Sequence, residues 1–286
     1  MYHVKILEEL GRYTEALTFL DTNSKSRVIV DKTAIMETRA RLLSKLESDE
    51  AEHAWRVLID HNPDSTDYYE GYIASQKIIL HDAVLALLKD ISSQIPKANA
   101  PRRLALVYAS GDEFRQLARE YLQAALKKGI PSLFADVKSL YTDQPKLDAI
   151  QVLLDELAAE HAPDSQAASS SSSSSDPSTY LWVLYFQAQH YSHLGDYDRA
   201  LEILNTAITH TPTLPELYTC RARVFKRAGD PYLAARALEE ARLLDGQDRF
   251  LNTKSAKYHL RAGLIDEAHN LFGLFTKVSQ FDSVCS

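Results

Sequence analysis

Two short segments of this 286-residue sequence carry the residue types that could do chemistry, and both are rich in cations. Guanidinium and ammonium groups held close together bind phosphates or carboxylates through charge-assisted hydrogen bonds. The candidate anion-binding residues are Arg223, Lys226, Arg227, Lys254, Lys257 and Tyr258, with Arg221 and Arg261 given less weight. Such a site requires a fold that brings the two segments together.

A repeat of 34 residues within 180–277 provides that fold. Small residues, a glycine and a large apolar residue recur at this interval in three copies: Ala188, Ala222 and Ala256; Gly195, Gly229 and Gly263; Ala200, Ala234 and Ala268; Leu204, Leu238 and Phe272. Alanine allows two helices to approach closely, and glycine ends the first helix in a left-handed conformation. The pattern predicts an all-α, tetratricopeptide-type helical-hairpin solenoid with a right-handed superhelix.

Looser copies of the same unit precede these three repeats. Gly11–Leu20 has the Gly, aromatic, Ala and Leu spacing of Gly195–Leu204, and further helix pairs are predicted near 67–94, 101–128 and 131–160. The predicted organisation is irregular helical repeats in 1–161, a disordered Ser-rich linker in 162–179, three regular repeats in 180–277 and an unstructured tail in 278–286. Because neither end carries a polar capping helix, we expect a segment of a longer solenoid or a truncated gene product.

The period also places charges from neighbouring repeats side by side. One column contains Gln189, Arg223 and Lys257, and a second contains His193, Arg227 and Arg261. First helices of such solenoids line the concave surface, so these columns predict a groove for a multiply phosphorylated small molecule or an acidic segment of a partner protein. The alternative is that these cations pair with carboxylates of neighbouring repeats.

Composition limits the other functions. The net charge is −7, with 20 basic and 27 acidic residues in 1–179, which disfavours general nucleic-acid binding, and we expect no direct sequence-specific contact with nucleic acid. No apolar run is long enough to cross a membrane, and two cysteines cannot form a disulfide framework. We therefore expect a cytoplasmic protein without membrane contact.

The sequence also argues against an enzyme. The two closest glycines, Gly263 and Gly273, lie ten residues apart, so phosphate-binding loops and the acetyl-CoA loop of acetyltransferases are absent. His190 and His193 have the spacing of paired metal ligands but lack a third ligand nearby, and we interpret them as partly exposed helix residues. The main alternative is a generic tetratricopeptide adaptor for acidic peptides or chaperones. The Lys and Asn of a carboxylate clamp are replaced by Tyr185 and Gln189.

Several longer stretches carry a family resemblance that covers nearly the whole chain. They are LIDHNPDSTDYYEG within 51–71, GIPSLFADVKSLY in 129–141, LWVLYFQAQHY in 181–191, NTAITHTPTLPE in 205–216 and DRFLNTKSAKY in 248–258. With them, the chain resembles the auxiliary subunit of the N-terminal acetyltransferase A complex.

This resemblance implies a non-catalytic, ribosome-associated scaffold. Such a subunit binds the catalytic acetyltransferase subunit and shapes it for co-translational N-terminal acetylation. It needs no cofactor, and the resemblance implies inositol hexakisphosphate as a structural ligand of the six candidate residues.

Overall fold

The computed structural model describes residues 1–24, 30–163 and 177–275. Within these ranges the chain forms sixteen α-helices and one 3₁₀ helix, with no β-strand. The predicted tail 278–286 and most of the predicted linker 162–179 lie outside the described residues. Most helices that are consecutive in the chain pack against each other, and the fold is a tetratricopeptide-type solenoid of helical hairpins.

The chain divides into two compact units, Met1–Tyr121 and Leu122–Ser286. The first unit contains seven helices and most of an eighth: α1 (Tyr2–Glu9), α2 (Tyr13–Asn23), α3 (Lys32–Lys45), α4 (Glu50–His61), α5 (Thr66–Ser75), α6 (His81–Gln94), α7 (Ala100–Tyr108) and α8 (Gly111–Lys127). Helices are present in both segments, 67–94 and 101–128, where helix pairs were predicted, although α6 packs against α7 of the following segment.

The second unit begins within α8 and contains the regular repeats. Its other helices are α9 (Leu133–Val137), a 3₁₀ helix (Lys138–Thr142), α10 (Gln144–His161), α11 (Pro177–Leu194), α12 (Tyr197–His210), α13 (Pro215–Ala228), α14 (Pro231–Leu244), α15 (Arg249–Arg261) and α16 (Ile265–Gly273). Helix α11 begins three residues before the predicted start of the repeats at Tyr180, with a proline at its first position, where the missing N–H costs nothing.

The 34-residue register is visible in the backbone. Gly195, Gly229 and Gly263 end the first helix of each repeat with φ of 88°, 91° and 77°, which confirms the predicted left-handed turns. The six repeated alanines are all buried. Asp196 and Asp230, also 34 residues apart, cap α12 and α14 by accepting hydrogen bonds from backbone N–H groups. Repetition therefore fixes helix ends as well as helix contacts.

The large apolar position of the second helix is buried only in the first two repeats. Leu204 and Leu238 are inaccessible to solvent, whereas Phe272 is 37 % exposed. The two leucines are enclosed because a further hairpin packs beside each of them. Helix α16 is the last helix of the described part, so Phe272 has no such neighbouring hairpin among these residues.

In the first unit, Gly71 is required by a close approach between α4 and α5. A Cβ atom built on Gly71 would lie 2.5 Å from the Trp55 ring, whose Nε1 donates a hydrogen bond to Ser44 Oγ. We expect Gly71→Ala to lower the free energy of unfolding by about 1–2 kcal/mol, because overpacking outweighs the higher helix propensity of alanine.

Urea unfolding monitored by circular dichroism checks this prediction for Gly71. Gly246→Ala is the matched control, because a Cβ at Gly246 meets nothing within 4 Å. An unchanged or higher urea midpoint for Gly71→Ala would contradict the close approach.

Candidate anion-binding site

A pocket of about 360 Å³ lies between α13 and α15. Most of its lining residues are cationic or aromatic: Arg223 and Lys226 from α13, and Phe250, Thr253, Lys254, Lys257, Tyr258 and Arg261 from α15. On α15 these residues occupy positions i, i+3, i+4, i+7, i+8 and i+11 counted from Phe250, so they share one face of the helix. Two first helices, one repeat apart, thus present their charged faces to a single cavity.

Two arginines of α13 are held by neutral hydroxyl groups of α11. Arg223 Nη2 donates to Tyr185 Oη at 3.1 Å, and Arg227 Nη1 donates to Ser192 Oγ at 2.9 Å. The Nε atom of Arg223 is buried and has no hydrogen-bond acceptor among the described residues. These contacts orient the guanidinium groups without neutralising their charge.

Two cations of α15 contact aromatic rings. Lys254 Nζ lies 4.6 Å from the centroid of the Phe250 ring, and Arg261 Cζ lies 5.5 Å from that of Tyr258. An aromatic face attracts a cation through its quadrupole but carries no net charge. The positive charge of the pocket therefore remains available to an anion.

Other cations of this region, which lie close to α14, form ion pairs with its carboxylates. Arg242 forms an ion pair with Glu239 at 2.6 Å, and Arg221 and Arg236 both pair with Glu240. Within residues 177–275, by contrast, no carboxylate forms an ion pair with a cation that lines the pocket. Among the described residues, the alternative of pairing with carboxylates therefore applies to Arg221 and to none of the cations that line the pocket.

The pKa values reflect this concentration of charge. Burial, together with Arg261 and Arg227 nearby, lowers the pKa of Lys226. Burial, together with Arg223 and Lys226, lowers the pKa of Lys254. Both ammonium groups lie in an environment that disfavours further positive charge, so a bound anion would relieve their repulsion.

The structure brings five of the six candidate residues to the pocket and leaves one outside. Arg223, Lys226, Lys254, Lys257 and Tyr258 line it, together with Arg261, which sequence analysis had given less weight. Arg227 does not line the pocket because its guanidinium reaches back to Ser192, a residue of the preceding repeat.

The two remaining column members, Gln189 and His193, also lie outside this cavity. Gln189 Nε2 donates to the backbone oxygen of Tyr185, and the His193 ring packs edge-on against Phe134 and Tyr141.

Sequence reasoning missed Phe250 and Thr253 in the pocket lining. Both lie four residues before a candidate lysine, Lys254 and Lys257 respectively, so one-turn spacing on α15 could have found them.

His190 differs from its expected environment. Its side chain is fully buried, and Nδ1 is hydrogen bonded to Tyr141 Oη at 2.7 Å. The expectation of a partly exposed residue is wrong, because the 3₁₀ helix covers this face of α11. His193 is the exposed member of the pair. The described ranges contain no group of three or more His, Cys, Asp and Glu residues that could hold a metal ion.

One buried cluster contains a serine, a histidine and a carboxylate. Ser255 Oγ donates to Glu239 Oε2 at 3.0 Å, and His259 Nδ1 lies 2.9 Å from the backbone oxygen of Ser255. A hydrolytic triad requires the histidine between the serine and the carboxylate. Here the serine bonds the carboxylate directly and is inaccessible to solvent, so the cluster ties α14 to α15.

Among the described residues, no helix combines the length and the apolar character that crossing a membrane requires.

Helical hairpins in a 34-residue register, with a cationic pocket between two of their first helices, define a tetratricopeptide-type repeat protein. Residues 1–284 match the family model described as N-terminal acetyltransferase A, auxiliary subunit. The chain therefore belongs to the family of N-terminal acetyltransferase A auxiliary subunits, as its sequence resemblance predicted.

Individual relatives agree with this assignment. The chain is 38 % identical over 279 residues to the mouse N-alpha-acetyltransferase 16, NatA auxiliary subunit, covering 97 % of this chain and 32 % of the relative. It is 36 % identical over 291 residues to the N-terminal acetyltransferase A complex auxiliary subunit NAA15 of Arabidopsis thaliana, again covering 97 % and 32 %. It thus spans about a third of the length of these relatives.

A solved structure shows the same similarity in three dimensions. The structure of Naa15/Naa10 bound to HypK-THB contains a chain that is 36 % identical to this one. It superposes with a TM-score of 0.83 and covers 99 % of this chain and 42 % of the solved chain.

Proposed function

We propose that this chain is a non-catalytic scaffold, which binds the catalytic subunit of an N-terminal acetyltransferase A complex and shapes it for co-translational N-terminal acetylation. The observation that carries the proposal is family membership over residues 1–284. The structural similarity to the Naa15 chain of a Naa15/Naa10 assembly supports it. In this proposal the complex works in the cytoplasm at the ribosome.

Within this scaffold, the pocket between α13 and α15 binds an inositol polyphosphate, with inositol hexakisphosphate as the structural ligand. Its binding residues are Arg223, Lys226, Lys254, Lys257, Tyr258 and Arg261, and Arg227 contributes charge from outside the pocket. The volume of about 360 Å³ suits a compact small molecule. A multiply charged anion suits this pocket, since its ammonium and guanidinium groups form no ion pair with a carboxylate of the described residues 177–275.

Co-expression with a Naa10-type acetyltransferase tests the scaffold. We expect the two chains to elute together in size-exclusion chromatography. We also expect the complex to acetylate peptides with small N-terminal residues about tenfold or more faster than the acetyltransferase alone, because a positioned active site lowers the barrier.

The purified chain alone is the control, and we expect it to acetylate nothing. Acetylation by this chain without a partner would contradict the non-catalytic role. Separate elution, with capture of chaperones or acidic peptides from lysate instead, would favour the generic adaptor.

A further inference from the structure

Phe250 occupies an unusual position for a large apolar side chain. It is 62 % exposed, yet it lines the cationic pocket at the beginning of α15. Side chains of a helix lean toward its N-terminus, so a residue at i+4 covers the residue at i. Lys254, one turn later, accordingly places its Nζ over the Phe250 ring.

Lys254 needs such a contact because its other charged neighbours repel it. Burial is the largest cause of the lowered pKa of Lys254, and the positive charges of Arg223 and Lys226 on α13 lower it further. A flexible lysine in this field would turn its ammonium toward solvent and away from the pocket. A carboxylate would hold it in place but would also cancel the charge that an anion needs.

We propose that Phe250 is a positioning residue: its ring holds the Lys254 ammonium over the pocket, ready for an anionic ligand, and leaves its charge intact. This inference rests on the proposed polyanion site. It adds an aromatic residue to a site whose other recognised members are cations and a tyrosine.

Substitutions at Phe250 separate the aromatic face from apolar bulk. Phe250→Leu keeps an apolar side chain without a π face, and Phe250→Trp presents a stronger one. We expect Phe250→Leu to weaken binding of inositol hexakisphosphate about threefold to fivefold in isothermal titration calorimetry, and Phe250→Trp to bind at least as tightly as the unmodified chain. Tyr232→Leu is the matched control, because Tyr232 is 63 % exposed on α14 and lies outside the pocket.

Equal affinities for the leucine and tryptophan variants would overturn the proposal, whether both match the unmodified chain or both are weaker. Unchanged thermal midpoints are expected for all variants, since the ring is exposed. If the unmodified chain does not bind inositol hexakisphosphate at all, the polyanion site itself fails.

In that case, NMR without a ligand still tests whether the Lys254 side chain lies over the Phe250 ring. The ε-methylene protons of Lys254 are expected to show an upfield ring-current shift in NMR spectra, which Phe250→Leu removes. Absence of that shift in the unmodified chain would contradict the positioning role.

Discussion

Replacing Arg223 and Lys257 together by glutamate is expected to weaken inositol hexakisphosphate binding at least about 100-fold. Each charge-assisted hydrogen bond contributes about 1.5–3 kcal/mol, and about 1.4 kcal/mol corresponds to a factor of ten. The double change removes two cations from facing helices and places two anions beside the ligand. Binding by the unmodified chain is expected to weaken as salt is added, because the pocket is open to solvent and dissolved ions screen its charges.

The control for this experiment is Arg199→Glu with Arg236→Glu, which makes the same change in net charge on α12 and α14, outside the pocket. Because Arg223 also bonds Tyr185, Lys226→Glu with Lys257→Glu is a second test on two exposed lysines. Isothermal titration calorimetry at fixed salt measures all three variants. An equal loss of affinity in the control would mean that net charge alone attracts the ligand, and unchanged affinity in both pocket variants would eliminate the site.

The repeat predicted those parts of the fold that are set locally. Gly195, Gly229 and Gly263 recur at a fixed interval and have left-handed backbones in all three copies. A glycine after an amphipathic helix specifies its end without help from distant residues. The pairing of Arg223 with Lys257 in one pocket was predictable for the same reason, because stacked repeats bring equivalent positions together.

Side-chain direction and burial by irregular elements were not predictable in this way. The interval aligned Arg227 with Arg261, but the guanidinium of Arg227 reaches Ser192 in the opposite direction. Phe250 carries no charge, so the pattern of charged residues did not indicate it; its proposed role depends on its aromatic ring. His190 was misjudged because the element that covers it, the 3₁₀ helix Lys138–Thr142, does not follow the 34-residue register.

The buried His190 is expected to make the second unit less stable as the pH falls from about 6.5 to about 4. Burial, with the nearby charges of His193 and Arg199, lowers its pKa to about 4 from an ordinary value of 6.5. The Nε2 atom of His190 is buried and has no hydrogen-bond partner among the described residues, so an imidazolium here would leave an N–H group unpaired within that part of the chain.

Between these two pH values the unfolded chain binds a proton that the native chain does not, so the free energy of unfolding increases with pH through this window. The stability that the native chain gains by keeping His190 neutral is fully present above pH 6.5 and is lost as the pH approaches 4. A shift from 6.5 to about 4 corresponds to a loss on the order of 3 kcal/mol.

Urea unfolding of His190→Gln at pH 7 and pH 4.5 isolates this contribution from the carboxylates that also titrate. The glutamine variant loses the imidazole but keeps a polar side chain beside Tyr141, so its stability is expected to fall by about 2–3 kcal/mol less between the two pH values than that of the unmodified chain. His269→Gln, at an exposed position on α16, is the control for the loss of an imidazole elsewhere in the chain. The imidazole protons of His190 give a direct check, since in the native chain their NMR shifts should not titrate above about pH 5. Titration near pH 6.5 would mean that the 3₁₀ helix opens readily and that the packing around Tyr141 does not hold His190 in its neutral form.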